Sequence, residues 1–201
     1  MPRAESEPKR APHESRGDRR GPTAATSSRP SRVHESRAGR ARSQQRPVHD
    51  SFVVEHDYPL PVRTIWHALT DAALRDDWFS GGSEFDTHKK SHEFRLGGMS
   101  LEEGQWQGGP SARLLCTYTD IVDHERIVMT CDLWIEDRHI STSLATIVLE
   151  PTEQGCRLTL TDQSIRFLAA DDVVGREDGS RRLLANLGAV AARQEAASRL
   201  R

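Results

Sequence analysis

The stretch that decides the fold of this chain is SFVVEHDYPLPVRTIWHALT, residues 51–70. Its first eight residues are rich in β-branched and aromatic side chains and run into Pro59 and Pro61, which predicts a strand that ends at the prolines. Pro61 then suits the first turn of a helix, because its missing N–H would have no partner there. Four apolar residues follow at helical spacing: Val62, Ile65, Trp66 and Leu69. The domain therefore opens with a strand and an amphipathic helix.

Downstream of this opening, the pattern predicts one more short helix and then a series of strands. Asp71 is suited to cap the second helix, which carries Leu74 and Trp78 on one side and ends at the Gly81-Gly82 pair. Six segments of strand-like composition follow, separated by turn sequences, at residues 93–96, 99–106, 114–122, 126–135, 140–150 and 156–161. With the first strand, we expect about seven strands.

The last predicted element is a helix that covers the sheet. It carries an apolar stripe across about two turns: Leu183, Leu184, Leu187, Val190 and Ala191. A long antiparallel sheet needs one face covered, and this helix is the sizeable element left to cover it. We therefore predict an α+β fold in the order β-α-α-β(about six)-α, with a curved antiparallel sheet around a long C-terminal helix. Space between sheet and helix would form a pocket; a tightly packed sheet and helix would show the same pattern.

Charge divides the chain into two parts. Residues 1–50 hold 12 Lys and Arg against 6 Asp and Glu, whereas the remaining residues hold 16 against 24. The first part also lacks apolar periodicity and cannot bury enough surface to offset its ordering entropy. We predict a disordered basic arm at residues 1–50, a domain at residues 51–194 and a short tail at residues 195–201. We expect no nucleic-acid partner, because acidic residues dilute the charge of the arm and aromatic residues for stacking are lacking.

The sequence carries no signal for a membrane or for export. No stretch approaches the ~18 consecutive apolar residues of a membrane-spanning helix. The N-terminus also lacks the apolar region of a secretory signal. We expect a cytoplasmic protein without a membrane partner.

Residues that often bind metals or form cross-links are few and poorly spaced. Cys116, Cys131 and Cys156 are an odd number without CxxC spacing, so we interpret them as reduced core residues. His88 and His92 flank two lysines in a predicted loop, and no carboxylate pattern completes a ligand set. We expect neither a metal nor a cofactor.

Five stretches of the domain, taken in order, form a known family pattern: YPLPVRTIWHALTD at residues 58–71, DWF at 77–79, FRLGG at 94–98, TDIVDHERIV at 119–128, and residues 179–187. They resemble START-like proteins related to the activator of heat-shock protein 90 ATPase, in the SRPBCC superfamily. The resemblance implies the helix-grip fold and a hydrophobic cavity. It implies no single activity, since related proteins include lipid carriers, polyketide aromatase/cyclases, self-resistance proteins and co-chaperone domains.

The expected ligand site is the pocket between the sheet and the terminal helix. Residues on the more apolar side of their segments, with tryptophans at strand ends, would line it: Trp106, Tyr118, Met129, Leu133, Trp134, Leu144 and Leu187. Gly188 thins the terminal helix at its centre and would leave room for a ligand. We therefore interpret the chain as a binding domain for a small apolar, aromatic or lipid-like molecule, held by burial of apolar surface.

Two other functions remain open from the sequence. The first is a cyclase-like or hydrolase-like enzyme, with Asp132 and Asp162 as catalytic candidates, because each lies in a strand-like run where burial would raise its pKa. No arrangement of nucleophile, base and orienting group accompanies them, so we do not expect catalysis. The second is a protein-interaction module of the heat-shock protein 90 ATPase activator type, which should expose an apolar patch.

Overall fold

Three stretches of the chain are described by the computed structural model: residues 46–79, 85–167 and 173–200. Most of the predicted arm therefore lies outside the described residues. The elements follow one another as β1 (Val48–Tyr58), α1 (Val62–Thr70), α2 (Ala72–Trp78), β2 (Phe85–His92), β3 (Met99–Trp106), β4 (Ser111–Val122), β5 (Arg126–Ile135), β6 (Arg138–Thr152), β7 (Gly155–Arg166) and α3 (Val173–Arg199).

Within the described residues, seven strands form one curved, unclosed sheet in the order β1-β7-β6-β5-β4-β3-β2. Every neighbouring pair is antiparallel. Strands β2 to β7 form a meander of hairpins, and β1 pairs with the last strand. Helices α1 and α2 lie in the connection between the two edge strands, β1 and β2. This layout confirms the α+β helix-grip fold predicted from the sequence.

The three described helices pack on one side of the sheet, which we call the inner face. The Tyr58 hydroxyl donates a hydrogen bond of 2.8 Å to the Leu184 carbonyl, and the Thr64 hydroxyl donates one of 2.8 Å to the Glu195 carboxylate. These bonds join β1 and α1 to α3. Apolar residues of the helices and the inner face form one core, which includes Val54, Ile65, Trp66, Leu69, Ile127, Leu158, Leu187 and Val190. The helical stripe predicted within residues 51–70 is thus confirmed as core.

Asp71 separates the first two helices. Its backbone is extended, so α1 ends there, and its carboxylate accepts a hydrogen bond of 2.9 Å from the Leu74 N–H. The bond gives a partner to one of the free N–H groups of the first turn of α2. The predicted helix cap is confirmed.

The second strand begins earlier in the sequence than predicted. β2 covers Phe85–His92, whereas residues 93–98 form the turn to β3. The lysine pair that suggested a loop lies within this strand. Charged side chains are common on edge strands, where they hinder pairing with other chains. His88 and His92 are therefore strand residues, and the predicted loop is wrong.

Two element ends also differ from the prediction. β1 begins at Val48, three residues before the expected start of the domain. α3 ends at Arg199, so most of the expected tail is helical.

No helix of the described residues has the length and apolar character needed to cross a lipid bilayer.

Candidate functional site

A cavity of about 300 Å³ lies between the inner face and the helices. Its wall is mostly apolar, and we call it the inner cavity. From the sheet it is lined by alternate residues of the central strands, among them Leu114 and Tyr118 of β4, Ile127, Met129 and Leu133 of β5, and Ala145 and Ile147 of β6. From the helices it is lined by residues that include Leu69, Trp78, Leu183 and Leu184.

One row of paired residues runs across the floor of the inner cavity. Tyr118 of β4 is opposite Met129 of β5, which is opposite Ala145 of β6, which is opposite Asp162 of β7. Four strands at a spacing of ~4.8 Å place the two ends of the row about 14 Å apart. The row therefore has a polar residue at each end and small or apolar residues between them.

The β7 end of this row holds a closed ion pair. Arg176 of α3 lies 3.1 Å from the Asp162 carboxylate and 3.3 Å from the Ser143 hydroxyl. Ser141 and Ser164 are also buried nearby on the inner face. Because the carboxylate neutralises the guanidinium, this end offers polarity without net charge.

The β4 end of the row holds a second cation, Arg75 of α2. Only 9% of Arg75 is exposed, and its guanidinium carbon lies 3.8 Å from the centre of the Phe79 ring. Burial lowers the pKa of Arg75 from its ordinary value, although an arginine in a protein stays protonated at any ordinary pH. Burial raises the pKa of the adjacent Tyr118, whose hydroxyl lies 3.3 Å from His92 Nδ1.

A second cavity, of about 400 Å³, lies between α2 and the strands β2 and β3. Arg75 and Phe79 line both this cavity and the inner one. Its remaining lining is largely polar and includes Asp76, Lys90 and Glu102. Burial raises the pKa of Glu102, which accepts a hydrogen bond of 3.1 Å from the Thr87 hydroxyl. Arg75 is thus part of the wall that separates a polar cavity from an apolar one.

Two of the three cysteines are joined. Cys116 and Cys131, opposite each other on β4 and β5, form a disulfide in the wall of the inner cavity. The interpretation of all three as reduced core residues is therefore wrong for this pair. Cys156 is a free, fully buried thiol, and burial raises its pKa to about 11.

The structure separates the predicted pocket residues into two groups. Tyr118, Met129 and Leu133 line the inner cavity. Leu144 lies on the outer face of the sheet, opposite Thr130, and is 39% exposed. Trp134 follows a β-bulge and lies between Arg113 and His139, with its ring centre 4.2 Å from the Arg113 guanidinium carbon.

Three further expectations about the pocket are wrong. Trp106 ends the near-edge strand β3, where it contacts Phe85 and does not border the inner cavity. Leu187 is fully buried in the core rather than in the cavity wall. The space beside Gly188 is filled by the Tyr58 ring, since a Cβ added there would lie 2.8 Å from Tyr58 Cε1. The thinnest part of α3 thus receives a side chain of β1 instead of a ligand.

The two aspartates proposed as catalytic candidates lie on opposite faces of the sheet. Asp162 lines the inner cavity, as described above. Asp132 alternates with the cavity residues of β5 and lies on the outer face, 3.2 Å from His139 Nε2. The Thr142 hydroxyl contacts both of these side chains. Because Thr142 bonds the carboxylate directly, the three groups do not form a series in which the histidine lies between a nucleophile and its orienting acid.

Sequence reasoning missed the arginines of the site and its serines. Arg75 precedes Trp78 by three residues, so helical spacing places it on the same face as a core tryptophan. Ser141 and Ser143 share the parity of Ala145 and the other inner residues of β6. These spacings were the available signals, but charged and hydroxyl side chains are usually exposed. Within the described residues, no group of three or more His, Cys, Asp or Glu side chains could hold a metal ion.

Comparison with known proteins places this geometry in a family. The model of the family described as "Activator of Hsp90 ATPase homolog 1-like protein" matches residues 59–192. No curated protein matches the chain. Among solved structures, the Mll3558 protein from Rhizobium loti is 35% identical, with 73% of this chain and 99% of that chain covered and a TM-score of 0.67.

More distant solved structures share the fold. A protein from Rhizobium leguminosarum is 24% identical, with 74% of this chain and 97% of that chain covered and a TM-score of 0.70. An AHSA1-like protein from Aeromonas hydrophila is 12% identical, with 73% and 94% covered and a TM-score of 0.55. The family match covers most of the sheet, both short helices and the greater part of α3. This chain therefore belongs to the Activator of Hsp90 ATPase homolog 1-like family of the START-like superfamily.

Proposed function

We propose that this protein binds a small, largely apolar molecule in the inner cavity. The observation that carries the proposal is the cavity itself, an apolar space of about 300 Å³ between the sheet and the helices. This volume lies at the lower end of the range of about 300–1,000 Å³ that is typical of small-molecule pockets. An apolar molecule placed there would gain roughly 25 cal/mol for each Å² removed from water.

The polar groups of the inner cavity fit a role in orienting a ligand. Asp162, Ser143 and Arg176 lie at one end of the floor row, and Tyr118 and Arg75 lie at the other. Between them, Met129 and Ala145 offer no hydrogen-bonding side chain. A ligand with an apolar body and a polar end would match this distribution, as in pockets where a few polar groups fix orientation.

An enzymatic role has less support from the same residues. Acid–base catalysis needs a group that exchanges protons near neutral pH. The described titratable side chains that line the inner cavity include two arginines, which stay protonated, and Tyr118, whose pKa is raised further above neutrality by burial. Among the described lining residues no histidine is present. Asp162 is held by Arg176, an arrangement that favours positioning over proton transfer.

A role as a protein-interaction module also has less support. Such a module should present a contiguous apolar patch. The large apolar side chains that are exposed in the described residues are distributed over β1, the β2–β3 turn, β3, β6 and the end of α3: Val48, Val53, Leu96, Met99, Trp106, Leu144 and Leu200. Single exposed apolar residues of this kind are normal on a protein surface.

A fluorescence titration tests the proposal. The neutral apolar probe N-phenyl-1-naphthylamine should brighten and saturate with the wild-type protein. Ala145→Phe places a ring in the centre of the floor row and should weaken probe binding at least ten-fold. Leu144→Phe is the matched control, because the preceding residue lies on the outer face, and it should bind the probe as the wild type does.

Two results would contradict the proposal. One is a wild-type protein that binds no probe and carries no small molecule in native mass spectrometry. The other is a folded Ala145→Phe variant, verified by circular dichroism, that binds the probe with unchanged affinity. If Ala145→Phe fails to fold, the wild-type titration and mass spectrum still decide the question.

A further inference from the structure

Arg75 is a buried cation at the edge of an apolar cavity. It lies on α2 with 9% of its surface exposed, and it lines both the inner cavity and the second cavity. A charged side chain is rarely buried to this extent unless it is paired, because removing the charge from water is unfavourable. The partners of Arg75 therefore indicate which role its charge has.

The described partners of Arg75 are neutral. The flat face of its guanidinium lies on the Phe79 ring, and the Tyr118 hydroxyl is within hydrogen-bonding reach. Among the described residues, no Asp or Glu carboxylate forms an ion pair with it within 4.0 Å. The acidic groups that act on Arg75 over longer distances, Glu102 and Asp76, are themselves bonded to Thr87 and Lys90.

The two ends of the inner cavity differ for this reason. At the β7 end, Asp162 neutralises Arg176. At the β4 end, the charge of Arg75 has no such counterpart among the described residues, because the nearby Glu102 carboxylate accepts its hydrogen bond from the Thr87 hydroxyl instead. An anion that entered the inner cavity would therefore find one neutralised arginine and one with its charge available.

We propose that the ligand of the inner cavity is an amphipathic carboxylate, with its carboxylate on Arg75 and Tyr118 and its apolar body along Met129 and Ala145. A guanidinium presents two parallel N–H groups that match the two oxygens of a carboxylate, and such paired bonds are among the strongest in proteins. The Tyr118 hydroxyl stays protonated and adds a donor. The floor row continues from Tyr118 into Met129 and Ala145, which gives the apolar chain a continuous surface. This inference rests on the proposed function.

A competition experiment at pH 8 tests the inference. In this experiment decanoate and 1-decanol, which share a chain and differ in charge, compete with N-phenyl-1-naphthylamine for the wild-type protein. We expect decanoate to bind at least ten-fold more tightly than 1-decanol. In Arg75→Gln the preference for decanoate over 1-decanol should fall to within two-fold.

Two further variants keep the test decisive. Arg75→Met serves if Arg75→Gln does not fold, because methionine is an unbranched apolar side chain that fills irregular space and avoids the cost of burying a charge. Arg113→Gln is the matched control: it removes the same charge from an exposed arginine on Trp134, outside the cavity, and should keep the full preference.

The possible results separate the two proposals. A wild-type protein that binds no probe and carries no small molecule in native mass spectrometry contradicts the proposed function. A probe that binds but is displaced equally well by decanoate and 1-decanol leaves the proposed function intact and overturns the inference. A preference for decanoate that persists in a folded Arg75 variant also overturns it, since the charge would then be recognised elsewhere.

Discussion

The Tyr58 ring packs directly against Gly188, at the point where the end of β1 meets the middle of α3. A Cβ added to Gly188 would lie 2.8 Å from Tyr58 Cε1, closer than real Cβ contacts come, and 3.0 Å from Cδ1, which is also unusually tight. One turn earlier in the helix, the Leu184 carbonyl accepts the hydrogen bond of the same tyrosine. The pair holds the first strand against the last helix, and together they close one side of the core.

Gly188→Ala should therefore destabilise the protein. In an open helix this substitution would stabilise by up to about 1 kcal/mol, because glycine has poor helix propensity. Here the added methyl group meets a buried ring, and overpacking of this kind typically costs about 1–3 kcal/mol. After the gain in helix propensity is subtracted, we expect a net loss of up to about 2 kcal/mol in the free energy of unfolding, measured by urea denaturation with fluorescence detection.

Gly179→Ala provides the control for this prediction. Gly179 lies in the same helix, and the nearest atom to an added Cβ is the end of the Arg182 side chain at 4.0 Å. Helix propensity should then dominate, and the variant should gain about 0.5–1 kcal/mol. If both variants gain stability, the Tyr58 ring does not occupy the space beside Gly188.

Sequence patterns predicted the order of elements because each element has its own periodicity. The strand closed by Pro59, the helical stripe through Trp66 and the cap at Asp71 all follow from local rules. The position of β2 did not follow, because an edge strand needs no apolar alternation and its lysines are typical of a loop as well.

The sequence patterns did not predict in the same way which face of the sheet each residue of the central strands lies on. A hairpin continued from the pair Ile135 and Arg138 would place Leu144 opposite Met129 on the inner face. A β-bulge, in which Ile140 has no partner, shifts the register by one residue and puts Ala145 there instead. Since strand side chains alternate, this single shift moves Leu144 to the outer face.

A second bulge explains the unexpected disulfide. β4 and β5 pair from Val122 and Arg126, and a regular hairpin would place Cys116 opposite Asp132. Thr119 has no partner, so the register shifts and Cys116 meets Cys131. Bulges of this kind depend on tertiary packing, and neither is marked by a glycine. The sequence therefore showed which residues the strands contain, but it did not show which residues of neighbouring strands lie opposite each other.

His92 should make the stability of the protein depend on pH. Burial and the nearby charge of Arg75 lower the pKa of His92 below its usual value of 6.5. Below that pH the unfolded chain binds the proton more readily than the folded one, so stability falls as the pH falls from about 7 through the folded pKa. His92→Gln removes this contribution, and its stability should decrease less than that of the wild type between pH 7.5 and pH 5.

His88→Gln is the control for the pH prediction, because His88 lies on the same strand with an exposed side chain. Its stability should follow the wild-type curve. The wild type, His92→Gln and His88→Gln all contain the other groups with shifted pKa values, such as Glu102. The contributions of those groups to the pH dependence of stability therefore cancel in the comparison. If the free energy of unfolding changes with pH in the same way for the wild type and for His92→Gln, then His92 binds its proton equally well in the folded and unfolded chains, and the prediction is wrong.

Thiol titration should detect one free cysteine per chain in the unreduced, denatured protein and three after reduction. The native protein should react slowly, because Cys156 is buried and its pKa is raised to about 11. Cys156→Ser should then leave no reactive thiol before reduction.

The disulfide between Cys116 and Cys131 closes a loop with a sequence separation of 15 residues. Closing a loop of that length contributes about 3 kcal/mol in the chain-entropy model, so reduction should lower stability measurably. Three thiols in the unreduced chain would contradict this pairing.

Two shortened chains should distinguish the strand residues that precede Ser51 from the rest of the predicted arm. Val48, His49 and Asp50 pair with the end of β7, and the Asp50 carboxylate accepts a hydrogen bond of 2.7 Å from Arg166. A chain that begins at Ser51 loses these three pairs and the carboxylate, whereas a chain that begins at Arg46 keeps them. Loss of a partly buried bond to a charged group costs about 1.5–3 kcal/mol. We therefore expect the shorter chain to unfold roughly 3–10 °C below the longer one in a thermal scan.

The chain that begins at Arg46 should have the same midpoint of thermal unfolding as the full protein if residues 1–45 add nothing to the core, as their composition predicts. Equal midpoints for the two shortened chains would mean that β1 makes no effective contact before Ser51.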